Sequence, residues 1–174
     1  MALDRLNFLY QEVIFDHTKQ PHNHKTIDNA THEMQLLNPS CGDMINVQMF
    51  VSDGVIEDIG FIGEGCSISM ASASMMTVAL MGRTIEEAEQ VIDGFVEHVG
   101  GPKVSDDLAM SSKKLEGILQ DAVLLEGVRK FPARYKCATL AWKAAELGFY
   151  PEERARLIEG LTVNSSDEGD ELDE

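Results

Sequence analysis

Residues 45–62 read Ile45-Asn46-Val47-Gln48-Met49-Phe50-Val51-Ser52-Asp53-Gly54-Val55-Ile56-Glu57-Asp58-Ile59-Gly60-Phe61-Ile62. Ile45, Val47, Met49 and Val51 alternate with Asn46, Gln48 and Phe50, the two-residue period of a strand with one buried face. Ser52-Asp53-Gly54 supplies a turn, and Val55 to Ile62 returns as a second strand. The stretch predicts a β-hairpin, with a third strand near Met34 to Leu37. Phe50 breaks the polar side of the alternation, so both faces are expected to be partly covered.

Outward from the hairpin the period changes to that of helices. Upstream, Leu3, Leu6, Tyr10, Val13 and Ile14 are spaced by three and four, predicting a helix over 3–17. The polar stretch Lys19 to Asn29, with Pro21, His22 and His24, reads as a loop. Downstream of Gly65, Ser67, Ser69, Ala71, Ser72, Ala73 and Ser74 mix with Met70, Met75, Met76, Val78 and Leu80. This predicts a helix able to approach its neighbours closely, ended by Gly82.

Thr84 followed by Glu87 forms a capping box ahead of Ile85, Ala88, Val91, Ile92 and Phe95. Residues 100–112 are a polar connection, and a helix is expected from about Lys114 to Val128. Phe131-Pro132 interrupts the chain. Cys137 to Leu147 is helical in type and closed by Gly148, and Pro151 suits the first turn of a final short helix. Residues 161–174 hold six acidic side chains and no Lys or Arg, a composition expected to stay disordered. The layout is α+β: a small, mostly antiparallel three-stranded sheet packed against several helices, in one domain spanning 1–160.

The chain has 174 residues, 44% of them hydrophobic, which is enough for one core. Aromatics are only 6% and Met residues number nine, so aliphatic and thioether side chains fill the interior. Thirty acidic against 14 basic residues give a formal charge of −16, which argues against nucleic acid and anionic membranes as partners. No run of eighteen apolar residues exists, and Met1-Ala2-Leu3-Asp4-Arg5 lacks the layout of a signal peptide, so a cytoplasmic location is expected.

Three cysteines without an export signal argue against a disulfide framework and leave metal binding, thiol chemistry or plain burial. Cys41-Gly42-Asp43 lies where the loop marked by Asn38-Pro39 enters the first clear strand. Cys66 lies where Gly63-Glu64-Gly65 leads into a helix, and Cys137 is expected at the start of another. Thiols at helix N-termini gain thiolate character. Three thiolates and the Asp43 carboxylate form a donor set suited to tetrahedral zinc, and the same thiolates can hold an iron–sulfur cluster. The spacing alone is weak, because no C-x-x-C pair is present. His22 and His24 read as solvent-exposed loop residues, His17, His32 and His98 give no spacing signal, and Met70, Met75 and Met76 read as core.

Three stretches carry a resemblance. Leu37-Asn38-Pro39-Ser40-Cys41-Gly42-Asp43, Gly63-Glu64-Gly65-Cys66-Ser67-Ile68-Ser69, and Arg134-Tyr135-Lys136-Cys137-Ala138-Thr139-Leu140-Ala141-Trp142 closely resemble the IscU/NifU-like family of iron–sulfur cluster assembly proteins. The likeness covers about residues 3–150. Scaffold-type members carry a His before the third cysteine, where this chain has Lys136. They also carry a Leu-Pro-Pro-Val-Lys motif just upstream, where this chain reads Phe131-Pro132-Ala133-Arg134. These departures make it look like the SufU branch of Gram-positive bacteria, with about 95–115 as that branch's insertion.

The resemblance implies zinc held by Cys41, Asp43, Cys66 and Cys137, and sulfur accepted on Cys41 from the persulfide of a PLP-dependent cysteine desulfurase of SufS type. A His of that partner would displace Cys41 from zinc. Downstream Suf scaffold proteins would receive the sulfur. Arg134 and Lys136 are the expected partner-facing or supporting residues. The alternative the family also implies is a scaffold that assembles a [2Fe–2S] cluster, with iron on the same ligands.

Overall fold

The computed structural model describes residues 2–103 and 109–152, with side-chain surroundings from residue 8 onward. Strands β1 (His32–Asn38), β2 (Asp43–Ser52) and β3 (Val55–Glu64) form an antiparallel meander in the order β1-β2-β3. The predicted hairpin is β2–β3, and the third strand is β1. Ser52 pairs with Val55 across a two-residue turn whose Asp53 and Gly54 both have positive φ, +52° and +74°. That geometry matches the twist of the strands it joins, which is why Asp-Gly suits it.

One face of the sheet is core: Ile45, Val47, Met49, Ile59 and Phe61 are fully buried. The other face is partly covered by the loop after α1 (Ala2–Lys19), which agrees with the irregular alternation at Phe50. Ile27 is buried there, its N–H donating to Gln48 Oε1 at 2.7 Å, and Asn23 C=O accepts the N–H of Phe61. His22 and His24 are exposed as expected, with His24 stacked on Phe61 at 5.0 Å between ring centroids.

The helix α2 (Ser67–Leu80) is buried on nearly every side, between β3, α1 and α5 (Pro132–Gly148). Small residues let its neighbours close in. Ser72 donates to the carbonyl of Ala138 on α5 and accepts from Trp142 Nε1 at 2.8 Å. Trp142 in turn stacks on Phe95 of α3 (Ile85–His98), with ring centroids 3.9 Å apart. Met75 and Met76 lie in this core, as predicted. Each such buried apolar side chain contributes on the order of 1.5–3 kcal/mol.

Three expectations are corrected. The helix expected over about 114–128 is α4 (Ser112–Leu119) followed by a run of 3₁₀ turns over Gln120–Lys130, with a break at Gln120, φ +49°. A tertiary tie holds that run. Asp121 Oδ2 accepts from His17 Nε2 at 2.9 Å, while His17 Nδ1 meets the Ser74 hydroxyl at 2.7 Å, so a buried imidazole links α1, α2 and the 3₁₀ run. The capping box is half formed: Thr84 Oγ1 accepts the Glu87 N–H, but the Glu87 carboxylate pairs with Arg83 at 3.1 Å. Cys137 lies in the second turn of α5, not at its start, because Pro132 occupies the first helical position rather than interrupting the chain.

Residues 104–108 of the polar connection, the continuation of the helix expected from Pro151, and the acidic tail 161–174 lie outside the described residues. Among the described residues no helix is long and apolar enough to cross a membrane.

Candidate metal centre

The site is built where β1 turns into β2. Asn38 and Asp43 are register partners, and Pro39-Ser40-Cys41-Gly42 loop between them, so Cys41 sits at a hairpin tip rather than in a loop leading to a first strand. The Cys41 N–H donates to the Asn38 carbonyl at 3.3 Å, and Gly42 turns the chain back at φ +67°. Because Asp43 shares the inward face of β2 with Ile45, Val47 and Met49, its carboxylate points into the protein, where it is 2% exposed.

A buried carboxylate must be satisfied, and both its oxygens are. Oδ1 accepts the N–H of Cys66 at 2.8 Å, and Oδ2 accepts from Asn38 Nδ2 at 3.1 Å. Cys66 is the N-cap of α2 and makes no side-chain cap of its own, so Asp43 supplies the negative charge that the helix N-terminus favours. Gly65 makes this approach possible: a Cβ there would stand 2.7 Å from Asp43 Oδ1.

The third cysteine arrives from α5. Cys137 is fully buried, its Sγ 3.2 Å from that of Cys41, with Asn38 Nδ2 at 3.6 Å from the same sulfur. Ligand atoms of Cys41, Asp43 and Cys137 all lie within 4.8 Å of one another. Cys66 borders this group, its own Sγ 3.5 Å from Ser69 Oγ. Arg134, one turn before Cys137, is exposed at the rim, and Lys136 is exposed as well.

The ionisation of these groups follows from their surroundings. Burial alone would raise the Asp43 carboxyl, but the Cys66 N–H, Ser69, Cys137 and Asn38 outweigh it and hold the group below its ordinary range. Burial, then the neighbouring Cys41, Cys66 and Asp43, push the Cys137 thiol up. This corrects the expectation of a helix-end thiolate at Cys137, which lies away from the N-terminus of α5 in surroundings that favour the neutral thiol. The sulfurs, Cys66 foremost, favour the charged Arg134 guanidinium. The structure brings Cys41, Asp43 and Cys137 together, with Cys66 beside them but outside that group. With its sulfur added, three soft donors and one hard carboxylate make a set that fits zinc.

Two features escaped sequence reading. Asn38 touches three members of the site, which only strand register reveals. Beside Cys66 a mainly apolar cavity of about 500 Å³ opens between Tyr10, Ile68, Val128 and Phe131, with Arg134 at its edge. Phe131 is 62% exposed there, an unusual placement for an aromatic ring.

Comparison with known proteins agrees with this architecture. Residues 9–138 match the NifU-like N terminal domain. The chain is 46% identical over 144 residues to the iron–sulfur cluster assembly scaffold protein IscU of Streptococcus pyogenes serotype M1, covering 83% of this chain and 84% of that one. It is 45% identical over 148 residues to the zinc-dependent sulfurtransferase SufU of Bacillus subtilis strain 168, covering 85% and 94%. A crystal structure of a candidate SUF-system scaffold protein from Fervidobacterium islandicum AW-1 superposes with a TM-score of 0.68 at 29% identity, covering 79% and 94%. The chain belongs to the NifU-like N-terminal domain family of iron–sulfur cluster assembly proteins.

Proposed function

We propose that this protein is a zinc-dependent sulfur acceptor, with Cys41, Asp43, Cys66 and Cys137 as ligands and Cys41 as the residue that takes the sulfur. The observation that carries this reading is the inequality of the four groups. Asp43 and Cys137 are buried, and Cys41 and Cys66 are both half-buried, but Cys66 is fixed as the N-cap of α2 whereas Cys41 stands at a hairpin tip. A ligand that leaves and returns belongs on such a tip. The two relatives of nearly equal identity carry different names, sulfurtransferase and scaffold, so identity alone does not choose between them.

Zinc at this site would supply a positive charge that keeps thiols ionised at neutral pH. The partner is a PLP-dependent cysteine desulfurase carrying a persulfide. The Cys41 thiolate attacks the terminal sulfur of that persulfide. A new S–S bond forms on Cys41, the donor's S–S bond breaks, and its electron pair leaves on the donor cysteine as thiolate. Cys41 ends as a persulfide, with no net oxidation or reduction. Arg134 stands at the rim where an anionic sulfur would approach. On this reading residues 1–160 are the working domain, about 95–115 its branch-specific insertion, and removal of 161–174 leaves sulfur acceptance intact.

The test is alanine formation from cysteine by a cysteine desulfurase, with and without the zinc-loaded protein. Stimulation that disappears in Cys41→Ala, with one added sulfur found on Cys41 by mass spectrometry, is expected. No stimulation by the wild type, together with iron and acid-labile sulfide retained after reconstitution, would make the protein a cluster scaffold instead.

A further inference from the structure

Asn38 closes the β1–β2 hairpin, is 4% exposed, and reaches three groups of the site at once. Its carbonyl accepts the Cys41 N–H at 3.3 Å. Its carboxamide nitrogen has two hydrogens and faces two acceptors, Asp43 Oδ2 at 3.1 Å and Cys137 Sγ at 3.6 Å. The carboxylate only accepts, so it selects the nitrogen end of the amide.

We propose that Asn38 is a positioning residue that makes the cysteines chemically unequal, quieting Cys137 so that sulfur chemistry is confined to Cys41. The inference rests on the metal-site reading above. A hydrogen bond to a thiolate stabilises its charge and lowers its nucleophilicity. Cys137 receives one from Asn38, and Cys66 has the Ser69 hydroxyl at 3.5 Å. Cys41 Sγ meets the Cys137 sulfur, and among the described residues no N–H or O–H donor is aimed at it. With a metal bound and all three sulfurs ionised, Cys41 keeps the most available electron pair.

The same amide also fixes the rotation of the Asp43 carboxylate, whose other oxygen is held by Cys66. Supporting contacts of this kind orient ligands, and their loss typically weakens metal binding by about 10- to 100-fold. Asn38 therefore acts on both the buried groups while touching half-buried Cys41 only through backbone.

The experiment is limited iodoacetamide alkylation of the zinc-saturated full chain, mapped by peptide mass spectrometry, in wild type, Asn38→Ala and Asn38→Leu. The Leu variant keeps the bulk of the side chain and removes only its amide, which guards against a collapse of the hairpin. Wild type is expected to be modified at Cys41 with Cys137 protected. Both variants are expected to show several-fold more Cys137 modification, and zinc affinity lower by about 10- to 100-fold in chelator competition. An unchanged Cys41 preference in folded, zinc-loaded variants would overturn the proposal, as would failure of both variants to fold or to hold saturating zinc. A wild type that binds no zinc is a separate failure, of the metal-site reading, and shows itself before any variant is made.

Discussion

Asp43 Oδ1 accepts the backbone N–H of Cys66 at 2.8 Å, so the carboxylate at the head of β2 caps α2 as well as standing in the candidate metal cluster. In metal-free protein, Asp43→Ala leaves that part-buried N–H without its partner, at an expected cost of about 1 kcal/mol in denaturant unfolding. Asp43→Asn keeps an oxygen acceptor and is expected to cost less. The folded-state pKa of Asp43 is depressed, so its ionic contribution is full above the unfolded carboxylate value of about 3.9 and is lost as pH falls through the lower folded value. The stability gap between wild type and Asp43→Asn should therefore narrow below about pH 4. A gap that stays constant into strong acid would show that the charge contributes nothing.

On the proposed ligand set zinc should bind the folded chain and not the unfolded one, because the four groups come from β1–β2, the start of α2 and α5. Free zinc at a hundred times the dissociation constant then adds about 2.7 kcal/mol, and the melting temperature rises with zinc concentration. Cys137→Ala, which empties a buried position, should lose most of this shift, and Cys41→Ala less of it. Equal loss in the two variants would contradict the inequality of the ligands.

Ser72 sits between Trp142 Nε1 and the carbonyl of Ala138, the residue after Cys137. Ser72→Ala strands the indole N–H in the buried core and loosens α5 beside the third cysteine. The expected loss is about 1–3 kcal/mol in both metal-free and zinc-loaded protein. A neutral effect on thermal unfolding would mean that the indole finds another acceptor.

Much of this was legible in the sequence, and the misses share a cause. Local period fixed β2, β3, α2 and α3, because strand alternation and small-residue runs are written in consecutive residues. Cys41, Asp43 and Cys66 were also legible as residue types at element ends, and Cys137 as a cysteine of the last long helix. What the chain could not show locally was register. That Cys41 stands on a hairpin tip depends on Asn38 pairing with Asp43. The break at Gln120 goes with a hydrogen bond between Asp121 and His17, 104 positions apart. Pro132 has the same signature whether it breaks a chain or begins a helix, and this misplaced Cys137.

The His17 tie offers its own test. Asp121→Ala removes the carboxylate acceptor of a buried imidazole and frees the 3₁₀ run from α1. A loss of about 1 kcal/mol or more is expected on unfolding. Zinc content should not change, since the hydrogen bonds of the His17 side chain go to Ser74 and Asp121 and not to a cysteine. Loss of zinc in this variant would show that the two clusters are coupled through α2.

Arg134 is exposed, so its value lies in charge presented to a partner rather than in stability. The guanidinium stands beside Cys66, Cys137 and Cys41 and borders the apolar cavity lined by Tyr10, Ile68, Val128 and Phe131. A persulfide carried to Cys41 is anionic, and it would meet this charge last. Arg134→Glu should leave folding and zinc content intact and slow sulfur acceptance, with the largest deficit at low salt and a smaller one as ions screen the site. Arg134→Lys should recover most of the rate, because a point charge serves where no bidentate contact is needed. If Arg134→Glu accepts sulfur as fast as wild type at low ionic strength, the donor approaches by a side that Arg134 does not face.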